Sequence, residues 1–356
     1  MIFEYQINFV SIATRDYSRS SVVLDGIYKK FRTDYFEVPS GFFKASIYVL
    51  KNREVFNAAN SITIVMSPST KLTAVFKLLS KRPVILDAGW PQIDGILSRG
   101  LSVKRLIRFC YIYFVDFLGF QMADLVLLES NVQLKRVQKV FRVDGSKLER
   151  NFTGFNERIL DQKSTQAEFV EILDREILSK GRKKKMIVLF RGKVNRESGI
   201  QNIVSAAKIM QDDVIFIFAT SGGLDRLHLP SNCILREHIS WGEMKALYER
   251  SDICIGQISD LHRLRYTIPH KAFEAGFFGK PYITTSTPSI SELYEEEAIF
   301  KVDSPNPASL VNALNYLQDA TVRDSLSFNI SKNYLERASQ KMLSERIETL
   351  ALNLLA

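Results

Sequence analysis

Ile268-Pro269-His270-Lys271-Ala272-Phe273-Glu274-Ala275-Gly276-Phe277-Phe278-Gly279-Lys280-Pro281, running on into Tyr282-Ile283-Thr284-Thr285, is the stretch from which the rest of the chain is read. Pro269 fixes the start, Lys271 to Phe278 have helical apolar spacing, Gly279 suits a left-handed helix end, and Pro281 forbids continuation. The reading is a short capped helix feeding a strand. Glu274, as a buried carboxylate near a helix start at the carboxyl edge of a sheet, is placed to accept hydroxyl hydrogen bonds from a bound nucleotide. The bland alternative is an exposed helix glutamate.

The chain has 356 residues, too many for one ordinary core, so two domains are expected. Apolar content of 46% and charged content of 24% exclude a disordered chain and a polytopic membrane protein. Cys110, Cys233 and Cys254 lie far apart in apolar runs and read as reduced, buried thiols, which points to the cytoplasm. Met1 to Phe9 contains Glu4 and Gln6 and reads as a first strand rather than an export signal. The net charge of +9 is uneven: residues 1–150 carry 22 Lys+Arg against 13 Asp+Glu, and the remainder carries 26 against 26. Either the excess only solubilises the first part, or that part faces an anionic partner: a membrane surface, a lipid phosphate or nucleic acid.

Along the first half, Ile7 to Ile12 is strand-like and Ser18-Arg19-Ser20-Ser21 opens a helix, leaving Arg15 and Arg19 beside a helix N-terminus where an anion can bind. Ser61 to Met66 is a second strand, Lys71 to Lys81 a basic helix, and Pro83 to Asp87 a third strand ending at Asp87-Ala88-Gly89-Trp90-Pro91. Asp87 is read either as catalytic or as a turn residue, and Trp90 lies on the acceptor side of the same edge. LIRFCYIYFVDFL at 106–118, preceded by Lys104 and Arg105 and containing Arg108, is too short and too interrupted by Asp116 to span a bilayer. It is either a helix buried against the sheet or an interfacial helix.

In the second half, Thr165-x-x-Glu168 is a capping box, and Arg182 to Lys185 lead into a strand from Met186 to Phe190. The domain boundary is placed just before the box, at 157–165. Arg191-Gly192-Lys193-Val194-Asn195-Arg196-Glu197-Ser198-Gly199-Ile200 then forms a basic, glycine-containing loop between strand and helix, a diphosphate cradle with Lys193 and Arg196 as charge partners. Val214 to Ala219 is a strand, Ser240-x-x-Glu243 caps another helix, Asp252 to Ile255 restarts a strand, and the chain after Pro307 is helical. The alternation predicts an α/β chain of two parallel-sheet domains facing across a cleft: 1–160, and 161–339, with a C-terminal helix at about 340–356 packing back on the first.

Three blocks in order, GKVNRESGI at 192–200, NCILREHISWGEMKALYERSDI at 232–253 and IPHKAFEAGFFGKPYI at 268–283, resemble the nucleotide-sugar domain of retaining glycosyltransferases of the family 4 type, which have the GT-B fold of two Rossmann-like domains. The resemblance covers about half the chain. It implies that Glu274 holds ribose hydroxyls and Lys193 takes the place of a diphosphate arginine. It also implies that the backbone at His238-Ile239 meets the base and that Thr267, Ile268, Pro269, His270 and Lys271 line the donor sugar and phosphates. The chain departs from the family where Ser198 stands for a phosphate-binding lysine and Tyr266 for the first of two glutamates. Lys193 keeps charge but loses the fork of arginine. No histidine precedes His228, and Gly89 sits about where a first-domain histidine is often found. Arg196, Arg263 or Arg265 are the residues that could replace the missing lysine.

The function these readings imply is a glycosyltransferase, retaining and metal-independent, moving a hexose from a nucleotide diphosphate sugar to a glycan or lipid-linked acceptor in surface polysaccharide biosynthesis. Asp87 and Lys193 would be its catalytic side chains, with Arg15, Arg19 and Trp90 toward the acceptor in a first, acceptor-binding domain. No cofactor, metal or nucleic acid is expected, and the location is cytoplasmic with peripheral contact on an anionic inner membrane face. A catalytically degenerate GT-B binding subunit and a sugar-nucleotide epimerase are the alternatives.

Overall fold

The computed structural model describes residues 4–15, 18–26, 28–98, 103–160, 167–181, 185–224 and 227–356. The chain divides into two units, residues 1–156 with 339–356, and residues 157–338. Thr165 of the expected capping box and Arg182 to Lys184 lie outside the described residues, as do the side chains of Lys104 and Arg105.

The first unit is a six-stranded parallel sheet of β1 (Tyr5–Ser11), β2 (Phe31–Glu37), β3 (Ser61–Met66), β4 (Val84–Gly89), β5 (Leu125–Leu128) and β6 (Leu148–Arg150) in the order β2-β1-β3-β4-β5-β6. β3, β4 and β5 are buried at every residue because helices cover both faces, which is why they read as unbroken apolar runs. β2, FRTDYFE, was not anticipated from the sequence. It is an edge strand, partly exposed along most of its length, so its polar residues conceal it. The final helix, Gln340–Leu355, packs on this unit. Gln340 Nε2 donates to Val22 O at 2.8 Å, Glu348 accepts from Lys30 N at 2.6 Å, and Ile347 and Ala351 join Ile7, Phe9 and Ile62 in the core.

Helix Val103–Met122 is longer than the apolar run that announced it. Its inner face supplies Phe109, Ile112, Tyr113, Phe117 and Phe120 to the core, and its outer face leaves Cys110 exposed. The expectation of three buried thiols therefore holds for Cys254, in part for Cys233, and not for Cys110, which falls on the solvent side of an amphipathic helix.

The second unit has β7 (Met186–Arg191), β8 (Val214–Thr220), β9 (Cys233–Glu237), β10 (Ile253–Ile255), β11 (Tyr282–Thr285) and β12 (Phe300–Val302), all parallel, in the order β12-β11-β10-β7-β8-β9. The chain leaves β7 to one side through β8 and β9 and returns to the other through β10. The crevice that such a reversal opens lies outside the carboxyl ends of β7 and β10, at Gly192 and Gly256. Helix His270–Phe277 follows from Pro269 as its N-cap, and Gly279 at φ 59° ends it with Lys280 N donating to Ala275 O at 2.9 Å.

Candidate functional site

Gly199, at φ 64°, starts helix Ile200–Ile209. A Cβ there would stand 1.8 Å from Ile258 O, so glycine alone lets the loop after β7 close onto the loop after β10. Beside this closure a crevice of about 460 Å³ is lined by Asn195, Arg196, Gly199, Ser259 and Asp260, among others. Lys193 and Arg196 are exposed on the loop. Ser198 is buried and folded into a local turn. Its N–H donates to Asn195 Oδ1 at 2.9 Å and its Oγ to Asn195 O at 2.7 Å, so it offers nothing outward. Arg263 Nη1 reaches both oxygens of Glu197, at 2.9 and 3.0 Å, which ties the turn His262–Arg265 to the same loop; Arg265 is exposed.

Helix His270–Phe277 turns Lys271 and Glu274 inward beneath this loop. Glu274 is fully buried, but it is not open to a ribose. Arg191 Nη1 binds its Oε1 at 2.6 Å, His270 Nδ1 lies 2.9 Å from the same oxygen, and Tyr248 donates its hydroxyl to Oε2 at 2.7 Å. Burial alone would raise the carboxyl, but Arg191, His270 and Tyr248 outweigh it and hold the group down at about 2. The expected direct ribose contact is therefore corrected: in this geometry Glu274 is the anchor that aims Arg191 and His270. Arg191, whose guanidinium lies 5.6 Å from the Trp241 ring, ends β7 and remains partly exposed. From the sequence Arg191 is only the first residue of the basic loop, without a partner, and Tyr248 has no role; a basic residue closing the apolar run MIVLFR at the sheet's carboxyl edge is the available signal.

Lys271 is buried with its Nζ 3.9 Å from the centre of the Phe190 ring and 3.5 Å from Gly256 O. It thus spans the ends of β7 and β10. Gly192 has φ 143°, and a Cβ on it would meet Nζ at 3.2 Å. Burial first, and Arg191 second, lower the ammonium to about 7 against the pull of Glu274. A cation so placed gains most from a ligand carrying negative charge. Thr267 and Ile268 are buried, Pro269 caps the helix, and His238 follows β9 at φ 53°, exposed with Ile239 beside it. Tyr266 is partly exposed and lies 3.4 Å from His262 Nε2 through its hydroxyl.

In the first unit the structure corrects two expectations. Asp87 and Arg19 are both buried and spend themselves on each other: Arg19 Nε lies 3.0 and 3.1 Å from the two carboxylate oxygens, and its Nη1 donates to Thr153 Oγ1 at 2.8 Å. Asp87 is therefore not free as a catalytic carboxylate, nor Arg19 as an acceptor-side cation; each is what makes the other tolerable in the interior. A Cβ on Gly89, at φ 68°, would stand 3.1 Å from Arg19 Nε, so the position at which the resemblance implies a histidine is filled by the Arg19 side chain. Arg15 is exposed and paired with Asp25 at 3.0 Å, and Trp90 is partly buried just past β4. Among the described residues, no group of three or more His, Cys, Asp or Glu is gathered to hold a metal.

Residues 201–350 match the model of a family described as "Glycosyl transferase-like". The fold is similar to that of Anabaena Alr3699/HepE, solved in complex with UDP-glucose: 13% identity, TM-score 0.70, covering 98% of this chain and 99% of that one. It is similar also to a glycosyltransferase from Rickettsia africae, with 13% identity, TM-score 0.67, and 99% and 98% covered. A UDP-forming α,α-trehalose-phosphate synthase from Burkholderia xenovorans, solved with glucose-6-phosphate, gives 7% identity, TM-score 0.68, and 97% and 100% covered. No curated protein matches the sequence. These likenesses establish the GT-B fold, with two six-stranded parallel sheets flanked by helices.

Proposed function

We propose that this chain, which has the GT-B fold and a glycosyl transferase-like segment at residues 201–350, transfers a hexose from a nucleoside diphosphate sugar. The observation that carries the reading is Lys271, a buried ammonium set between the ends of β7 and β10 where a parallel sheet receives phosphates. The diphosphate would lie against Lys271, Lys193, Arg196 and the N-terminus of helix Ile200–Ile209, which opens at the sheet's carboxyl edge. Lys271 then supplies the charge that Ser198 lacks. The base would meet the backbone at His238-Ile239, and the sugar the segment Thr267 to His270.

The C1–O bond to the diphosphate breaks as an acceptor hydroxyl oxygen bonds to C1, and the hydroxyl proton passes to an oxygen of the departing diphosphate. The leaving diphosphate takes the electron pair and Lys271, Lys193 and Arg196 neutralise it, so its departure is met by fixed positive groups rather than by a dedicated base. Retention at C1 and independence of metal are part of the proposal, as is a glycan or lipid-linked acceptor of surface polysaccharide synthesis received by the first unit. The location is cytoplasmic and peripheral to the inner membrane face. UDP-sugars are the first donors to test, since HepE was solved with UDP-glucose.

Hydrolysis of a panel of UDP-, GDP- and ADP-sugars tests the reading. Release of sugar from at least one donor supports it. Saturable nucleotide binding without release from any donor would favour the second reading, a binding subunit, which the enclosed Ser198 and the tyrosine at 266 favour.

A further inference from the structure

Three helices of the first unit, Phe42–Lys51, Lys71–Leu79 and Val103–Met122, lie side by side, the middle one packed on both others. Their inner faces build the core with Ala45, Val49, Leu72, Val75, Phe76 and Phe120. Their outer faces are also apolar. Phe42, Phe43, Leu78, Ile107, Tyr111 and Phe114 are exposed by 56% to 82%, an unusual concentration of large apolar groups in water. Between the helices runs a groove of about 410 Å³ whose lining includes Phe42, Lys71, Val75, Tyr111 and Phe114. Phe42 of the first helix and Tyr111 and Phe114 of the third thus share one surface.

The charge on this surface has one sign. Among the described side chains the three helices carry five lysines and arginines and a single carboxylate, Asp116. Asp116 is buried and accepts from Ile93 N at 2.9 Å, so it does not offset the outer face. Lys77 is held by Asp124 at 2.6 Å, whereas Lys44, Lys51 and Arg108 are exposed. Among the described residues no helix is long and apolar enough to cross a membrane. Exposed aromatics in a field of lysines and arginines match an anionic bilayer surface, where the rings enter the acyl boundary and the cations meet the headgroups.

We propose that this three-helix face is a docking surface for an anionic lipid bilayer, with Phe43, Ile107 and Phe114 inserted and Lys44, Lys51 and Arg108 on the phosphates. It gives the peripheral location proposed above a defined surface. Its test needs no turnover, so a chain that binds vesicles without transferring sugar refutes the transferase reading alone. The full chain is sedimented with vesicles of phosphatidylcholine, alone or with about one-third phosphatidylglycerol, at low salt. The expected result is binding to the anionic vesicles only. Phe43→Ser/Ile107→Ser/Phe114→Ser and, separately, Lys44→Glu/Lys51→Glu/Arg108→Glu should each weaken it about tenfold or more with an unchanged unfolding midpoint, because these side chains are exposed. The proposal is overturned if the wild type stays in the supernatant with anionic vesicles, or if the apolar variant binds as the wild type does. It is equally overturned if sedimentation velocity shows a dimer that the apolar variant abolishes, since the face would then cover a second copy of the chain.

Discussion

Lys271 Nζ lies within 3.2 Å of where a Cβ on Gly192 would be, so the glycine ending the turn out of β7 and the lysine of helix His270–Phe277 are fitted to each other. A side chain at 192 would push the ammonium away, and a backbone without one lets a diphosphate come down on it. Gly192→Ala is expected to weaken nucleotide binding about tenfold through strain and displacement together, measured by titration calorimetry, with its main effect on affinity rather than fold.

The same lysine sets a pH dependence whose sign follows from its burial. Its ordinary value of 10.5 is lowered to about 7, so between those values the unfolded chain binds a proton that the folded chain does not. Stability from this group therefore rises as pH increases from about 7 toward 10. Lys271→Met removes the slope and is expected to be the more stable protein at pH 6, by roughly 5 kcal/mol, with the difference vanishing toward pH 10. Denaturant unfolding of both proteins at several pH values reads it.

Glu274 runs the other way. Its carboxyl is held at about 2 against an ordinary 4.5, so its contribution is complete above about 4.5 and lost as pH falls through about 2. Glu274→Gln leaves Arg191 facing a neutral amide in a partly buried place and should cost about 3 kcal/mol at pH 7. The gap between variant and wild type should close as the pH is lowered from about 4.5 to about 2. A variant as stable as the wild type at pH 7 would mean that Arg191 does not depend on this carboxylate.

The Arg19–Asp87 pair gives a prediction in the first unit. Arg19→Met or Asp87→Asn each strands a buried charge and should cost about 3 to 5 kcal/mol in unfolding experiments. Gly89→His should destabilise comparably, because the new ring needs the space that Arg19 fills. Loss of turnover in a fully stable Asp87→Asn protein would instead return Asp87 to the chemistry.

Much of the fold was legible because strands covered on both sides must be apolar throughout: SITIVM, VILDAG and VIFIFAT announce β3, β4 and β8. β2 was not, since an edge strand with a half-exposed face carries Arg32 and Asp34 among its ring residues and reads as a loop. For the site, the loop at 192–199 and the helix with Glu274 were readable from glycine, charge and helix-end signals. What closes around Glu274 was not, because Tyr248 and Arg191 come from 26 and 83 residues away and only the sheet order brings them together. Arg19 and Asp87 show the same limit. Each read alone as a polar residue at a ligand edge, and only their contact across 68 residues turned two site candidates into one structural pair.

In the proposed site a nucleoside diphosphate rests against Lys271. Titration calorimetry of UDP, GDP and ADP into the wild type and Lys271→Met at pH 6.5, where the lysine is mostly charged, tests it most directly. The predicted result is saturable binding of at least one nucleotide to the wild type, weaker by about 100-fold in Lys271→Met. Equal affinities in the two proteins, or no binding of any of the three to the wild type, would contradict it.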